Sequence, residues 1–340
     1  MKGLKTALVG FGKISAALAG DPAHARAYPY ATHAQALRDH PDFDWVAVID
    51  ISMAARETAR RDWGIAHVAA DAATLDIGAE IEVAVVATPP DSRPAVLEAF
   101  PKLRAVVVEK PLAEDIAAAE TFLAACRARG IAVAVSLPRR YDPGFRALAG
   151  GGLDSQIGRP MAAFATYGNG LVNNGTHLVD FVRMLLGEID MVQAVAGLRA
   201  TPEGPIPGDG NLPFACRLTT GLAVMVNPVR FAAYREVGLD VWGERGRMQI
   251  VHEGLTILNS PPADCRALTG AKEVLHEATR ALATGYGSAL YQVYENLVAV
   301  LAGGQPFCPG EEALATMRVI EAVRRSAAAG GRAIDPRNAA

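Results

Sequence analysis

Short runs of β-branched apolar residues alternate with helix-forming stretches through the first 136 residues, and that alternation restricts the fold more than any other feature of the chain. Residues 6–9, 45–50, 83–87, 105–108 and 131–135 are largely apolar, the pattern of strands buried on both faces of a parallel sheet. Between them, residues 54–63 and 94–100 read as helices. Ile116, Ala119, Leu123 and Cys126 mark one face of a further helix that stops at Gly130. Strands alternating with helices in this way predict an α/β domain with a doubly wound parallel sheet. Ligands of such sheets bind outside the carboxyl ends of the strands, so the residues following each run are the candidates for function.

Four of these exits carry distinctive chemistry. The first run leads into Gly10-Phe11-Gly12-Lys13-Ile14-Ser15, where two glycines allow a tight turn and close approach to a pyrophosphate favoured by the next helix N-terminus. The second run ends in Asp50, whose carboxylate accepts hydrogen bonds from ribose hydroxyls and repels a 2′-phosphate, which points to NAD. Thr88-Pro89-Pro90 closes the third. The fourth, Val106-Val107-Val108, leads into Glu109-Lys110-Pro111-Leu112, and Pro111 holds Lys110 in extended geometry on a stiff strand exit. A glycine-rich turn or a lysine at a strand end is common on its own; the order of all four gives them weight. Gly10 and Asp50 stand 40 residues apart, where the fingerprint expects about 20. Residues 20–31 are read as an inserted loop, either solvated or serving as a lid over substrate, before a second helical piece near Thr32.

Beyond residue 136 the pattern changes to longer strand candidates at 161–167, 191–198, 214–218, 222–229, 237–242 and 247–251, which suit a largely antiparallel sheet. Leu178, Phe181, Val182 and Leu185 share one helical face that stops at Gly187. Two more helices are expected around Leu290–Leu301 and Leu314–Arg324, and residues 202–213 read as a loop. The expected domains are residues 1–136, binding NAD, and residues 137–330, an α+β unit for substrate and oligomerisation, with the C-terminal helix packing back on the first. With 33 basic and 36 acidic residues and no run of like charge, the chain lacks a basic footprint for nucleic acid or an anionic membrane. No apolar stretch approaches the roughly 20 residues of a membrane span, and the first residues lack the apolar core of a leader, so a cytoplasmic protein is expected. The four cysteines are scattered singly, without the spacing of a zinc site, and no metal is expected.

Taken together these motifs resemble the Gfo/Idh/MocA oxidoreductases, the family of glucose-fructose oxidoreductase and inositol dehydrogenase. The resemblance runs through Gly10-Phe11-Gly12, Asp50, Ala87-Thr88-Pro89-Pro90, Glu109-Lys110-Pro111, Arg139-Arg140-Tyr141-Asp142-Pro143 and Asn173-Asn174-Gly175-Thr176-His177-Leu178-Val179-Asp180. It implies an N-terminal Rossmann domain, an open-faced C-terminal sheet, and homodimers or homotetramers built through that sheet. It further implies that Lys110, Asn173 and His177 face the nicotinamide, and that Gly10, Gly12, Lys13, Ile14, Asp50, Thr88, Pro89, Glu109 and Lys110 hold the cofactor. Arg139, Arg140, Tyr167 and Asn174 become substrate candidates, the substrate being a sugar, nucleotide-sugar or cyclitol. Three positions depart from the family pattern: Asn173 stands where Asp is usual, Pro138 where many members have Asn, and Arg93 where His is frequent. All three are expected where cofactor or substrate would be touched.

Oxidising a sugar hydroxyl requires a hydride acceptor, a base and a charge for the developing alkoxide. NAD supplies the first; His177 is the candidate base and Lys110 the candidate cation. Asn173 cannot be a base but can hydrogen-bond neighbouring hydroxyls. Two other readings stay open: a catalytically silent NAD-dependent sensor, which the loss of an acid at 173 would suit, and a glycosidase-like lyase with a transient NAD-dependent oxidation.

Overall fold

The computed structural model describes residues 3–198 and 200–338. The chain divides into two units, one made of residues up to Tyr141 together with Gly287–Leu314, the other of Asp142–Tyr286 together with residues from Ala315 onward. The division therefore falls at Tyr141/Asp142, and residues 287–314 count with the first unit rather than with the second. The reason is packing: helix Ala289–Leu301 buries Leu290, Val293, Tyr294 and Leu297 within the first unit.

In the first unit six parallel strands, β1 (Leu4–Val9), β2 (Phe43–Ile49), β3 (His67–Ala69), β4 (Val83–Val86), β5 (Ala105–Glu109) and β6 (Ala132–Ser136), stand in the order β3-β2-β1-β4-β5-β6. Every residue of β4 and the first four of β5 are buried, as expected for central parallel strands flanked on both faces. Burying a Val side chain contributes about 1.5–3 kcal/mol, so these short strands are held mainly by what covers them. The three-residue β3 had no counterpart in the sequence reading, being too short for periodicity to show. Registers Val9↔Ile49, Val9↔Val86 and Val86↔Val108 align the carboxyl ends of four neighbouring strands. Strand order reverses between β1 and β4, and this switch point is where doubly wound sheets bind ligands.

The segment after the glycine-rich turn is not a loop. Residues 12–16 make one helical turn, with Ala16 N–H donating to Gly12 O. Helix Pro22–Ala27 follows, capped by Asp21, whose carboxylate accepts from the N–H groups of Ala23 (2.8 Å) and His24 (3.0 Å). Helix His33–Asp39 then opens with a reciprocal capping box between Thr32 and Gln35. His33 and Ala34 N–H donate to the Ile14 and Ser15 carbonyls, so this helix takes up the ladder of the first turn. Residues 17–32 thus interrupt a single helix, and this accounts for the long spacing from Gly10 to Asp50. The insertion is solvated along its outer side and docked at its end: no residue of helix Pro22–Ala27 is buried, while Tyr30 lies 4.6 Å from Tyr291, centroid to centroid. A Cβ on Gly287 would come 2.3 Å from Ala27 O, so only glycine fits under the insertion there.

In the second unit eight strands are ordered Arg280–Leu282, Thr256–Ser260, Gly246–Val251, Gly238–Gly243, Pro160–Tyr167, Ala223–Pro228, Phe214–Leu218 and Ile189–Ala194. All pair antiparallel except Pro160–Tyr167 with Ala223–Pro228. One face packs Ala163, Ala165 and Tyr167 into a core shared with Leu178, Phe181 and Val182 of helix Thr176–Leu186. Met161, Phe164 and Met225 are exposed, and Phe164 and Met225 are register partners. Residues 202–213 are more ordered than a loop: Thr201–Pro202 pairs antiparallel with Gly210–Asn211. The strand expected to reach residue 198 ends at Ala194. No helix among the described residues is long and apolar enough to cross a membrane.

Candidate active site

The switch-point edge of the first unit brings Gly10, Asp50 and Thr88 together. Gly10 N–H donates to Ile49 O and Ala87 N–H to Val9 O, each at 2.8 Å, continuing the sheet ladder one residue past the strands. Gly10 has φ +86°, and a Cβ there would lie 2.8 Å from Thr88 Cγ2, so both conformation and space demand glycine. At Gly12 a Cβ would meet nothing within 4 Å, leaving open space over the turn. Asp50 is oriented by two backbone donors, Phe11 N–H to Oδ2 at 2.7 Å and Ser52 N–H to Oδ1 at 2.8 Å. Each oxygen keeps a lone pair for a ribose hydroxyl. Ser15 is fully buried at the third fingerprint position, and its Oγ has no partner among the described residues. An open cradle, a carboxylate aimed by the turn, and an orphan hydroxyl fit a dinucleotide. Lys13, on the turn, and Pro89, beyond β4, are exposed, and Ile14 is half-buried. Thr88 Oγ1 pairs with Ser92 Oγ at 2.5 Å.

Lys110 sits at the carboxyl end of β5, half-buried, and its surroundings are fixed from two sides. On one side the Glu109 carboxylate lies 3.1 Å from His33 Nε2, while His33 Nδ1 is 2.7 Å from the Tyr294 hydroxyl. Burial opposes ionisation of Glu109, but hydrogen bonds from His33 and Ser136 and the charge of Lys110 outweigh it, leaving its carboxyl below the ordinary value. Glu109 is therefore committed to protein partners. On the other side Arg93, 2% exposed, donates to three backbone carbonyls: Glu109 O at 2.6 Å, Pro111 O at 2.8 Å, and Leu112 O. Arg93 was expected where ligand would be touched; its guanidinium instead serves the backbone of this exit.

In the second unit, Asn173, Asn174 and His177 are all half-buried. Residues Leu171–Gly175 form a helical turn leading into Thr176–Leu186, which puts Asn173 and His177 one turn apart on one face. The turn is held by the hairpin at 201–211. Asp209 accepts from Val172 N–H (3.0 Å to Oδ1) and Asn173 N–H (3.0 Å to Oδ2). Asn211 Oδ1 accepts from Gly170 N–H at 2.9 Å, and Glu203 Oε2 accepts from Asn169 N–H at 3.0 Å. Gly170, at φ +93°, is obligatory: a Cβ would stand 2.1 Å from Asp209 Oδ2. Asn173 Nδ2 donates to Asn169 O at 3.1 Å, so its amide also stabilises the turn, a use that a carboxylate could not serve.

Tyr167 is corrected from substrate candidate to core residue. It is fully buried, and its hydroxyl donates to Leu212 O (2.9 Å) and accepts from Leu212 N–H (2.8 Å), with burial pushing its pKa well up. Arg139 and Arg140 are buried in the first unit, and Arg140 pairs with Glu312 at 2.9 Å. Among the described residues no cluster of three or more His, Cys, Asp or Glu is suited to a metal. Sequence reasoning missed His33, Asp209 and Glu203. For His33 the Thr32-x-x-Gln35 capping box was a local signal, whereas for the two acids only the glycines around Asp209 offered one.

Residues 4–137 match a family model described as oxidoreductase family, NAD-binding Rossmann fold, and residues 166–334 match one described as oxidoreductase family, C-terminal alpha/beta domain. Inositol 2-dehydrogenase of Rhizobium meliloti (strain 1021) is 24% identical over 318 residues, covering 87% of this chain and 93% of that protein. Among solved structures, a levoglucosan dehydrogenase in complex with NADH and L-sorbose aligns with a TM-score of 0.74 at 20% identity, over 98% of this chain and 99% of that one. The super-repressor mutant of Gal80p from Saccharomyces cerevisiae aligns with a TM-score of 0.74 at 13% identity, over 99% of this chain and 98% of that one. At such identities the structural likeness shows the fold.

Proposed function

The chain belongs to the Gfo/Idh/MocA oxidoreductase family and takes NAD as its cofactor, and from that premise we propose that it is a dehydrogenase or reductase acting on a hydroxyl or keto carbon of a sugar, nucleotide-sugar or cyclitol. The observation that carries this reading is Lys110, a cation at the same sheet edge as Gly10, Asp50 and Thr88, with its flanks fixed by buried side chains. Bound NAD supplies the hydride acceptor. Lys110 stabilises the developing alkoxide as an ammonium donor. His177 takes the hydroxyl proton, and Asn174, beside it on the turn, is free in type to donate to or accept from a neighbouring hydroxyl. Assembly into a homodimer or homotetramer in the cytoplasm completes the proposal, with the exposed Met161, Phe164 and Met225 face as its interface.

The inositol 2-dehydrogenase and levoglucosan dehydrogenase relatives favour cyclitols and anhydro-sugars as first substrates to try. The test is NADH formation against a panel of sugars, nucleotide-sugars and cyclitols. Bound NAD without turnover of any member would favour the silent sensor instead, a reading supported by the commitment of the Asn173 amide to the Asn169 carbonyl. Asp50 is also expected to make NAD(H) bind at least about tenfold tighter than NADP(H), roughly 1.4 kcal/mol. Equal or tighter binding of NADPH in a fluorescence titration would contradict that role.

A further inference from the structure

We propose that Arg93 is a positioning residue for Lys110, holding the pose of its ammonium through the carbonyls on either side of it. Ladder pairing of β5 ends at Val108 toward β4 and at Glu109 toward β6. Beyond that point the chain turns away and its carbonyls lose their strand partners, a loss that buried acceptors tolerate poorly. Arg93, from the opening turn of helix Arg93–Ala99, meets three of them: Glu109 O, Pro111 O and Leu112 O. A buried guanidinium is itself expensive unless its donors are used; both Nη groups of Arg93 are spent on these carbonyls, while its Nε has no partner and it makes no carboxylate hydrogen bond among the described residues. Burial lowers its pKa to about 10, with Glu109 opposing, so the side chain is still a cation at neutral pH. Its planar fork suits carbonyls arriving from different directions, which the point charge of a lysine does not. With the carbonyls at 109, 111 and 112 held, the peptide entering Lys110 and the two that follow Pro111 are fixed, so the backbone is pinned on both sides of Lys110 and with it the direction of its side chain.

The functional consequence rests on the proposed dehydrogenase activity, but the geometric one does not, and the experiment separates them. Full-length wild type and Arg93→Lys are labelled by reductive 13C-methylation of their lysines; the wild type has six and the variant a seventh at position 93, and Lys110 is identified in each background by its loss on adding Lys110→Arg. Positioning predicts that the Lys110 titration midpoint moves by about half a pH unit or more in Arg93→Lys while that of Lys102 stays. NADH binding should remain within about threefold. On any substrate the wild type turns over, kcat should fall about tenfold with KM nearly unchanged, because a small misplacement acts on the chemical step. An unmoved Lys110 titration, or a loss confined to stability, would overturn the proposal. A wild type that turns over nothing would sink the dehydrogenase reading and leave the titration result standing. Should Arg93→Lys fail to fold, the guanidinium Nη protons of wild-type Arg93 must exchange at least about tenfold slower than those of exposed arginines, and rapid exchange would overturn the proposal.

Discussion

The two segments that carry the candidate chemistry are held by partners of opposite polarity. At the exit of β5 the chain runs out of strand and presents carbonyls, and the residue that receives them is a buried cation, Arg93. At the start of helix Thr176–Leu186 the chain presents N–H groups, and the residues that receive them are Asp209, Glu203 and Asn211. A strand end and a helix start leave opposite backbone groups unsatisfied, so each recruits the side chain of complementary polarity. A fixed site can thus be recognised by what holds its backbone, as well as by the groups it points outward.

The largest effect expected from testing this comparison comes from removing the group the first segment presents. Lys110→Met keeps most of the stem and leaves the Arg93 contacts intact, so folding and NAD binding should survive while turnover falls about 100-fold or more. Steady-state kinetics alongside an NADH titration would show this; unchanged turnover would reduce Lys110 to a strand end. An intermediate effect is expected on the other segment from Asp209→Asn, which keeps one acceptor but loses the charge that draws in the Val172 and Asn173 N–H groups. There kcat/KM should fall about tenfold, and hydrogen exchange at residues 171–175 should quicken with little change in the first unit. Equal loosening in both units would mean that the hairpin acts on global stability rather than on this turn.

The smallest effect is expected at Asn173. Asn173→Asp would set a carboxylate against the Asn169 carbonyl and beside Asp209, destabilising the protein by about 1 kcal/mol at pH 7. Such a carboxyl would have a folded pKa above its unfolded value. The penalty would therefore be fully present above the folded pKa and disappear as pH falls through the unfolded value near about 4. Where activity is measurable, the new charge should also raise the His177 pKa and move the acidic limb of the kcat/KM profile upward. A variant as stable as wild type from pH 4 to 7 would show that the amide is not needed for the turn. An acidic limb that persists at near-normal rate in His177→Ala would remove His177 from the mechanism.

Chemistry between near neighbours was legible in the sequence. Apolar runs of four or five residues predict buried parallel strands, two glycines after the first predict the turn, and an acid after the second predicts a ribose contact, because burial and backbone geometry act locally. That reading located Gly10, Asp50, Thr88 and Lys110 at one sheet edge. It also gave the helix carrying His177 from the spacing of Leu178, Phe181, Val182 and Leu185. The insertion was visible as an excess of residues, but its docking depended on Tyr291 and Gly287, far along the chain.

Only the tertiary structure decided which polar side chains face a ligand and which serve the fold. Tyr167 and Arg93 look like site residues in a linear reading, yet one is spent on Leu212, 45 residues away, and the other on the carbonyls at 109, 111 and 112, up to 19 residues away. His33 finds Tyr294 across 261 residues, and Asp209 finds Val172 across 37. The sequence alone determined the alternating sheet and the chemistry at its strand ends, because periodicity and turn-forming residues are properties of adjacent positions. Where unsatisfied backbone groups find partners depends on packing between distant segments, and periodicity carries no record of that distance.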